Sequence, residues 1–145
     1  MIGAVQVRRP RAAPALAVLL AGAGILHFIA PAPIDALVPT ALPGGPRFWT
    51  LLSGLVELAV AAAIAVPRTR RLGGLAAAVL FVAVFPGNVK MAIDWSDRSL
   101  PEQALAYGRL PLQVPLVWWA LTVYRNARRS PSHRRTGTGT VTPPA

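Results

Sequence analysis

Four runs of apolar residues, separated by short polar stretches, organise the chain. Ala12 to Ala30 is interrupted only by His27, Phe48 to Val66 contains Glu57 and closes at Pro67, and Leu72 to Ala92 has no ionisable group before Lys90. The fourth, Leu110 to Tyr124, reaches span length only if Ala104 to Tyr107 extend it. Pro111 is then expected near a helix start, where backbone donors lack partners anyway. A helix needs about 20 such residues to cross about 30 Å of hydrocarbon, and an open sheet edge does not survive there. The pattern predicts an all-α, integral membrane four-helix bundle with spans at about 12–30, 48–66, 72–92 and 104–124.

Composition strengthens the membrane assignment. Of 145 residues, 54% are apolar and 14% charged, against about a quarter charged in soluble domains. A chain this short cannot bury so much apolar surface in one aqueous core. The absence of cysteine excludes disulfides, thiolate metal sites and iron–sulfur ligation by this chain alone.

The net charge of +10 is sorted by loop. Arg8, Arg9 and Arg11 precede the first span. Arg68, Arg70 and Arg71 fill the second connection, and Arg125, Arg128, Arg129, Arg134 and Arg135 follow the fourth span. These segments hold 11 of the 15 cations and no acid, whereas Asp35, Arg47, Asp94, Asp97, Arg98 and Glu102 fall in the other connections. By the positive-inside rule, four crossings put both termini in the cytoplasm. Residues 1–11 are then a basic cytoplasmic start, 12–124 the transmembrane domain and 125–145 a basic tail, predicted disordered where Gly, Thr and Pro dominate after Thr136. A secretory signal ending at Ala30-Pro31-Ala32 is the competing reading of the start. It leaves three spans with the Arg loops on opposite faces, and prolines at 31 and 33 flank the supposed cut. A soluble nucleic-acid binder, which the charge alone would suggest, does not fit cations sorted in this way.

Small residues set the packing, because lipid tails are as apolar as Leu and give helices no hydrophobic reason to associate. Gly22, Gly24, Gly54, Gly73 and Gly74 are the expected close-approach points. Trp49, Trp95 and Tyr107 fall at one predicted interface and Tyr124 at the other; one of Trp118 and Trp119 is expected to face lipid.

Each polar residue within a span is then informative, since an ionisable group there costs roughly 2.5–3.5 kcal/mol on insertion scales. Glu57 lies about 13 Å below the outer boundary at 1.5 Å per residue, on a stripe with Ser53 and Ala61 that is expected to face inward. His27 sits near the outer end of the first span. On the third, Pro86 is expected to kink the helix and free the carbonyl of Val82, with Asn88 just beyond. On the fourth, Arg109 and Gln113 share a face, and Arg109 is the expected counter-charge of Glu57 or of the Asp94 region. The expectation is one outward-facing pocket lined by His27, Ser53, Glu57, Asn88, Arg109 and Gln113. Its bland counterpart is a set of interhelical hydrogen bonds that only fix packing.

Gly24-Ile25-Leu26-His27-Phe28 with Pro31, Val38-Pro39 and Leu42-Pro43, then Ser53-Gly54-Leu55-Val56-Glu57-Leu58, then Phe85-Pro86-Gly87-Asn88-Val89-Lys90-Met91-Ala92, and finally Arg109-Leu110-Pro111-Leu112-Gln113 occur in this order. The pattern resembles the DoxX and DoxX-like family of small four-helix bacterial membrane proteins, across residues 12–124. Gly87 stands where the family more commonly has Ala. The resemblance implies a bacterial cytoplasmic-membrane location, and relatives include a subunit that passes electrons from thiosulfate to quinone. Without cysteine, thiol chemistry does not carry over. The expected function is an accessory or redox-associated subunit, not catalytic on its own. Ser53, Asn88, Arg109 and Gln113 would hold a small polar or quinone-like ligand, Glu57 and His27 would handle protons, and a membrane-attached oxidoreductase partner would supply the redox centre. No metal site is expected. The alternatives are a non-catalytic scaffold and a small transporter or proton pathway, the latter disfavoured because no inverted repeat is apparent.

Overall fold

A computed structural model describes residues 11–127. The expectations for the basic segment before Arg11 and for the disordered tail lie outside the described residues. The helices are α1 (Ala12–Ile29), α2 (Pro31–Asp35), α3 (Pro46–Ala65), α4 (Arg70–Ala83), α5 (Phe85–Asp94) and α6 (Leu100–Ala127), with no strand among the described residues. Three helical stretches, Ala12–Ile29, Pro46–Ala65 and Arg70–Asp94, are long and apolar enough to cross a membrane.

The boundaries follow from local chemistry. Extended Gly45 and Pro46 in the first turn open α3 two residues before the expected Phe48, since Pro suits a position whose N–H has no helical partner. At the other end of α3 the last carbonyls, which no amide of the helix can reach, are taken by side chains. Thr69 Oγ1 donates to Ala63 O at 2.9 Å, and Arg70 donates from Nε to Ile64 O at 2.9 Å and from Nη2 to Ala65 O at 3.1 Å. Arg70, read in the sequence as a topological charge, therefore also closes the α3–α4 connection. The third stretch breaks at Val84, and Pro86 lies in the first turn of α5.

The start of α6 carries one half of a capping box, which the sequence reading did not pick out. Ser99 N and Oγ both donate to Glu102 Oε2, at 3.1 and 2.6 Å, so the helix begins at Leu100, four residues before the expected Ala104. Pro111 is consequently not near a helix start: both Pro111 and Pro115 lie inside α6.

Helix α1 packs chiefly along α3, and α4 along α6; α3 against α4 joins the two pairs, α1 also touches α6, α5 packs on α6 and α2 on α3. Glycine makes the tight crossings possible. A Cβ on Gly54 would lie 2.6 Å from His27 Cβ, one on Gly73 2.7 Å from Ile64 N, and one on Gly74 2.7 Å from Tyr124 N. Gly24 meets Gly54 O in the same way, whereas Gly22 faces open space and is not an approach point.

The apolar core occupies one half of the helices: Leu16 and Leu20 of α1, Val60 and Ile64 of α3, Ala77 and Phe81 of α4, Ala120 and Val123 of α6. At its end Trp119 Nε1 donates to Ala12 O at 3.0 Å, while Trp118 points outward, 65% exposed. Arg71 stacks on the Tyr124 ring there. This end carries Arg11, Arg68, Arg70, Arg71 and Arg125, and no acid among the described residues. The opposite end carries the mixed charges, with Arg47 paired to Asp35 and Arg98 to Glu102.

Candidate functional site

Polar side chains gather in the half away from the apolar core, and they form two separate groups instead of one ring. The inward face of α3 is Thr50, Gly54, Glu57, Ala61 and Ile64, a seven-residue alternation of three and four. Glu57 is therefore inside the protein, 8% exposed. Because Gly54 has no side chain, α1 comes close enough for His27 to stand beside it, with Nδ1 at 3.3 Å from Glu57 Oε2.

That contact is not a hydrogen bond. The Nδ1 hydrogen is directed at Ala23 O, 2.8 Å away on the preceding turn of α1, and Glu57 Oε2 is buried without a hydrogen-bond partner from the protein. The pair thus combines an unsatisfied carboxyl oxygen with an imidazole whose Nδ1 is engaged on its own helix.

The second group is satisfied internally. Asn88 Nδ2 donates to Gln113 Oε1 at 3.2 Å, and Gln113 Nε2 donates to Phe81 O; both side chains are 7% exposed. The break at Val84 leaves the Phe81 carbonyl in need of a donor, and α6 provides it. The carbonyl that gains this side-chain partner is thus one residue before the expected Val82. Asn88 and Gln113 clamp the α4–α5 break to α6, as the packing interpretation of buried amides requires.

Arg109 belongs to neither group. Its Nη1 donates weakly to Met91 Sδ at 3.9 Å, and it acts on Glu57 only through its charge at a distance. No ion pair joins Arg109 to Glu57; among the described residues the carboxyl's partner is His27. Ser53, on the flank of the α3 stripe, is only partly buried. The structure thus brings His27 to Glu57 and Asn88 to Gln113, and does not bring all six expected residues around one pocket.

Thr50 was missed in the sequence, although it stands seven residues before Glu57 on the same face. It is 1% exposed, and its hydroxyl lies against the Asp35 carboxyl. Nearby, Arg47 donates from Nε to Asp35 Oδ2 at 2.9 Å. Arg47, and after it the adjacent Thr50 hydroxyl, hold the Asp35 carboxyl below its ordinary value of 3.8. Lys90 reaches from α5 to Ala36 O at 3.0 Å and pairs with Asp94, tying the loop after α2 to the third stretch. On the outer surface of α1 and α3, Phe28, Phe48, Leu51, Leu52 and Leu55 line an apolar groove. No group of three or more His, Asp or Glu placed to hold a metal ion occurs among the described residues.

Residues 16–124 match the family described as Domain of unknown function (DUF8561), and the chain belongs to that family. No curated protein and no solved structure matches it.

Proposed function

We propose that this DUF8561 member is a DoxX-like protein of the bacterial cytoplasmic membrane, a four-helix bundle that crosses four times with both termini inside. Its function is that of an accessory subunit that holds a small hydrogen-bonding ligand, such as a quinone headgroup, at Glu57 and His27. Support for the fourth crossing comes from α6, whose 28 residues extend roughly 42 Å at 1.5 Å per residue and which packs along α4 and α5. Support for the orientation comes from the acid-free, Arg-rich end, which the positive-inside rule assigns to the cytoplasm.

The observation that carries the functional reading is the buried Glu57 Oε2 without a hydrogen bond beside an imidazole whose own hydrogen is engaged elsewhere. A buried polar atom left in this way costs about 1–3 kcal/mol, and a ligand hydroxyl or carbonyl that bonds to the pair recovers it. A quinone carbonyl that receives electrons from a membrane-attached oxidoreductase also takes up protons. Carboxyl and imidazole are the groups suited to move them. Arg109 adds positive charge near the site, which favours an oxygen that becomes anionic.

Extraction and mass spectrometry of lipids and quinones co-purifying with the full chain test this. Wild type retains a quinone-class molecule in stoichiometric amount, and Glu57→Gln and His27→Ala each reduce retention at least tenfold. Equal retention in wild type and Glu57→Gln contradicts it. The internally satisfied Asn88–Gln113–Phe81 group favours a second reading, a scaffold without ligand. On that reading, Glu57→Gln fully complements a deletion while Gln113→Leu does not.

A further inference from the structure

The arginines at the acid-free end of the helices are not equivalent. Arg70 directs its guanidinium to the Ile64 and Ala65 carbonyls. Arg11, Arg68 and Arg125 are exposed, and their side chains have no hydrogen bond or ion pair within the described residues. Arg71 is different again. It crosses from α4 to α6, where its guanidinium carbon lies 5.3 Å from the centre of the Tyr124 ring and Nη2 donates to Tyr124 Oη at 3.4 Å. A guanidinium stacked in this way is held in place while its other N–H groups stay open. No carboxylate is near to take them, since neither α1 nor α4, the two helices that start at this end, has an acid in its first turn.

An apolar surface continues from the charged one. Leu72, Leu75, Val79 and Val82 recur at spacings of three, four and three, so they form one stripe along α4, and all four are exposed. The stripe begins at the residue after Arg71 and runs away from the arginines for roughly 15 Å at 1.5 Å per residue. That is half of a hydrocarbon thickness of about 30 Å, the depth of one leaflet.

We propose that Arg71, together with Arg68 three residues before it and Arg125 next to Tyr124, holds the phosphate of an anionic phospholipid, one of whose acyl chains lies along the α4 stripe. The proposal rests on the reading that the helices cross a bilayer with this end at its surface, and it is independent of any ligand at Glu57. Free phosphate would use the guanidinium groups alone, and an apolar helix of another protein the stripe alone. A phospholipid uses both, with its phosphate oxygens accepting paired N–H bonds from a guanidinium. The headgroup is a net anion because choline carries a cation beside its phosphate, which this group of arginines repels, whereas phosphatidylglycerol carries none. Each cation at such a surface favours the anionic lipid roughly fivefold.

The test places the full chain in phosphatidylcholine bilayers with a trace of chain-spin-labelled phosphatidylglycerol or, separately, chain-spin-labelled phosphatidylcholine, read by electron paramagnetic resonance. A motionally restricted phosphatidylcholine component shows that the helices are in the bilayer; its absence overturns the membrane reading and the site with it. The site itself is read from the ratio of the two lipids' association. Wild type is expected to prefer phosphatidylglycerol at least about fivefold, and Arg71→Gln to bring the preference below about twofold. Arg71→Lys, which keeps the charge but not the planar fork, lowers the preference nearly as far, whereas Arg125→Lys retains it. Inorganic phosphate, exchanged for chloride at equal ionic strength, leaves the preference unchanged. Restricted phosphatidylcholine without any preference for phosphatidylglycerol overturns the proposal while leaving the membrane reading intact. An Arg71→Lys value equal to wild type, which diffuse attraction to the charged end would give, overturns it too, as does displacement by inorganic phosphate.

Discussion

The two halves of the helices solve the same packing problem by opposite means. In the Arg-rich half, backbones close on one another through Gly73 and Gly74, and the space between is filled by Leu16, Leu20, Ile64, Ala77 and Ala120, none more than 2% exposed. In the other half the helices also approach through Gly24 and Gly54, but the interior is Thr50, Glu57, Asn88 and Gln113. Among the described residues, the first half has no buried polar side chain to satisfy. The second has four, of which Asn88 and Gln113 satisfy each other and the Phe81 carbonyl, Thr50 lies against the Asp35 carboxyl, and Glu57 Oε2 is left without a hydrogen bond.

The largest expected effect is in the apolar half. Gly74→Val places a branched side chain against the Tyr124 backbone, where even a Cβ lies 2.7 Å from the amide nitrogen. Separating α4 from α6 is expected to cost about 3 kcal/mol, read as a lowered midpoint in denaturant unfolding in detergent.

Next is Gln113→Leu. The side chain that holds the helix break is replaced by one of similar size, leaving the Phe81 carbonyl and the Asn88 amide without partners. An expected loss of about 2 kcal/mol follows from two buried groups unsatisfied at once. The double variant Asn88→Leu/Gln113→Leu is expected to lose less than the sum of the single changes, which a double-mutant cycle measures.

Glu57→Gln is expected to change stability by less than about 1 kcal/mol, because it removes no hydrogen bond donated to that carboxyl, while abolishing ligand retention. A loss as large as that of Gln113→Leu would move Glu57 into the structural group and erase the contrast between the two polar clusters.

The smallest effect is at the rim. Ser99, then Arg98, holds the Glu102 carboxyl below its ordinary value of 4.5. A carboxyl whose folded value is depressed contributes stability above its unfolded value and loses it as pH falls through the folded one. The protection of amides at the start of α6 relative to those of the helix centre is therefore expected to be constant above about pH 5, one unit over the ordinary carboxylate range, and to fall only below pH 4.5. Ser99→Ala shifts the onset upward.

Much of this was legible in the chain. Apolar runs located α1, α3 and the α4–α5 stretch to within two residues at each end, because the bilayer requirement for about 20 apolar residues is a strong constraint. Period also placed Glu57 inward with Ala61. What could not be read was which polar groups satisfy which. A guanidinium and a carboxylate on different helices suggest a pair, yet the depth of Arg109 is set by where α6 starts, and that is fixed by Ser99 and Glu102, two short-range capping residues with no apolar signature. Gly22 and Gly24 look alike in sequence, and only the crossing of α1 with α3 at Gly54 separates the tight one from the open one. Thr50 carried a usable signal, its heptad spacing from Glu57, but threonine in an apolar run is common enough to pass as packing.

The most direct test of the account is a solid-state NMR dipolar measurement between 13C-labelled Glu57 Cδ and 15N-labelled His27 Nδ1 in the full chain reconstituted in lipid bilayers. Strong dephasing, as from groups in direct contact with Nδ1 at 3.3 Å from Oε2, is the predicted result. A coupling too weak to detect, together with transfer to Glu57 from lipid acyl protons, would contradict it.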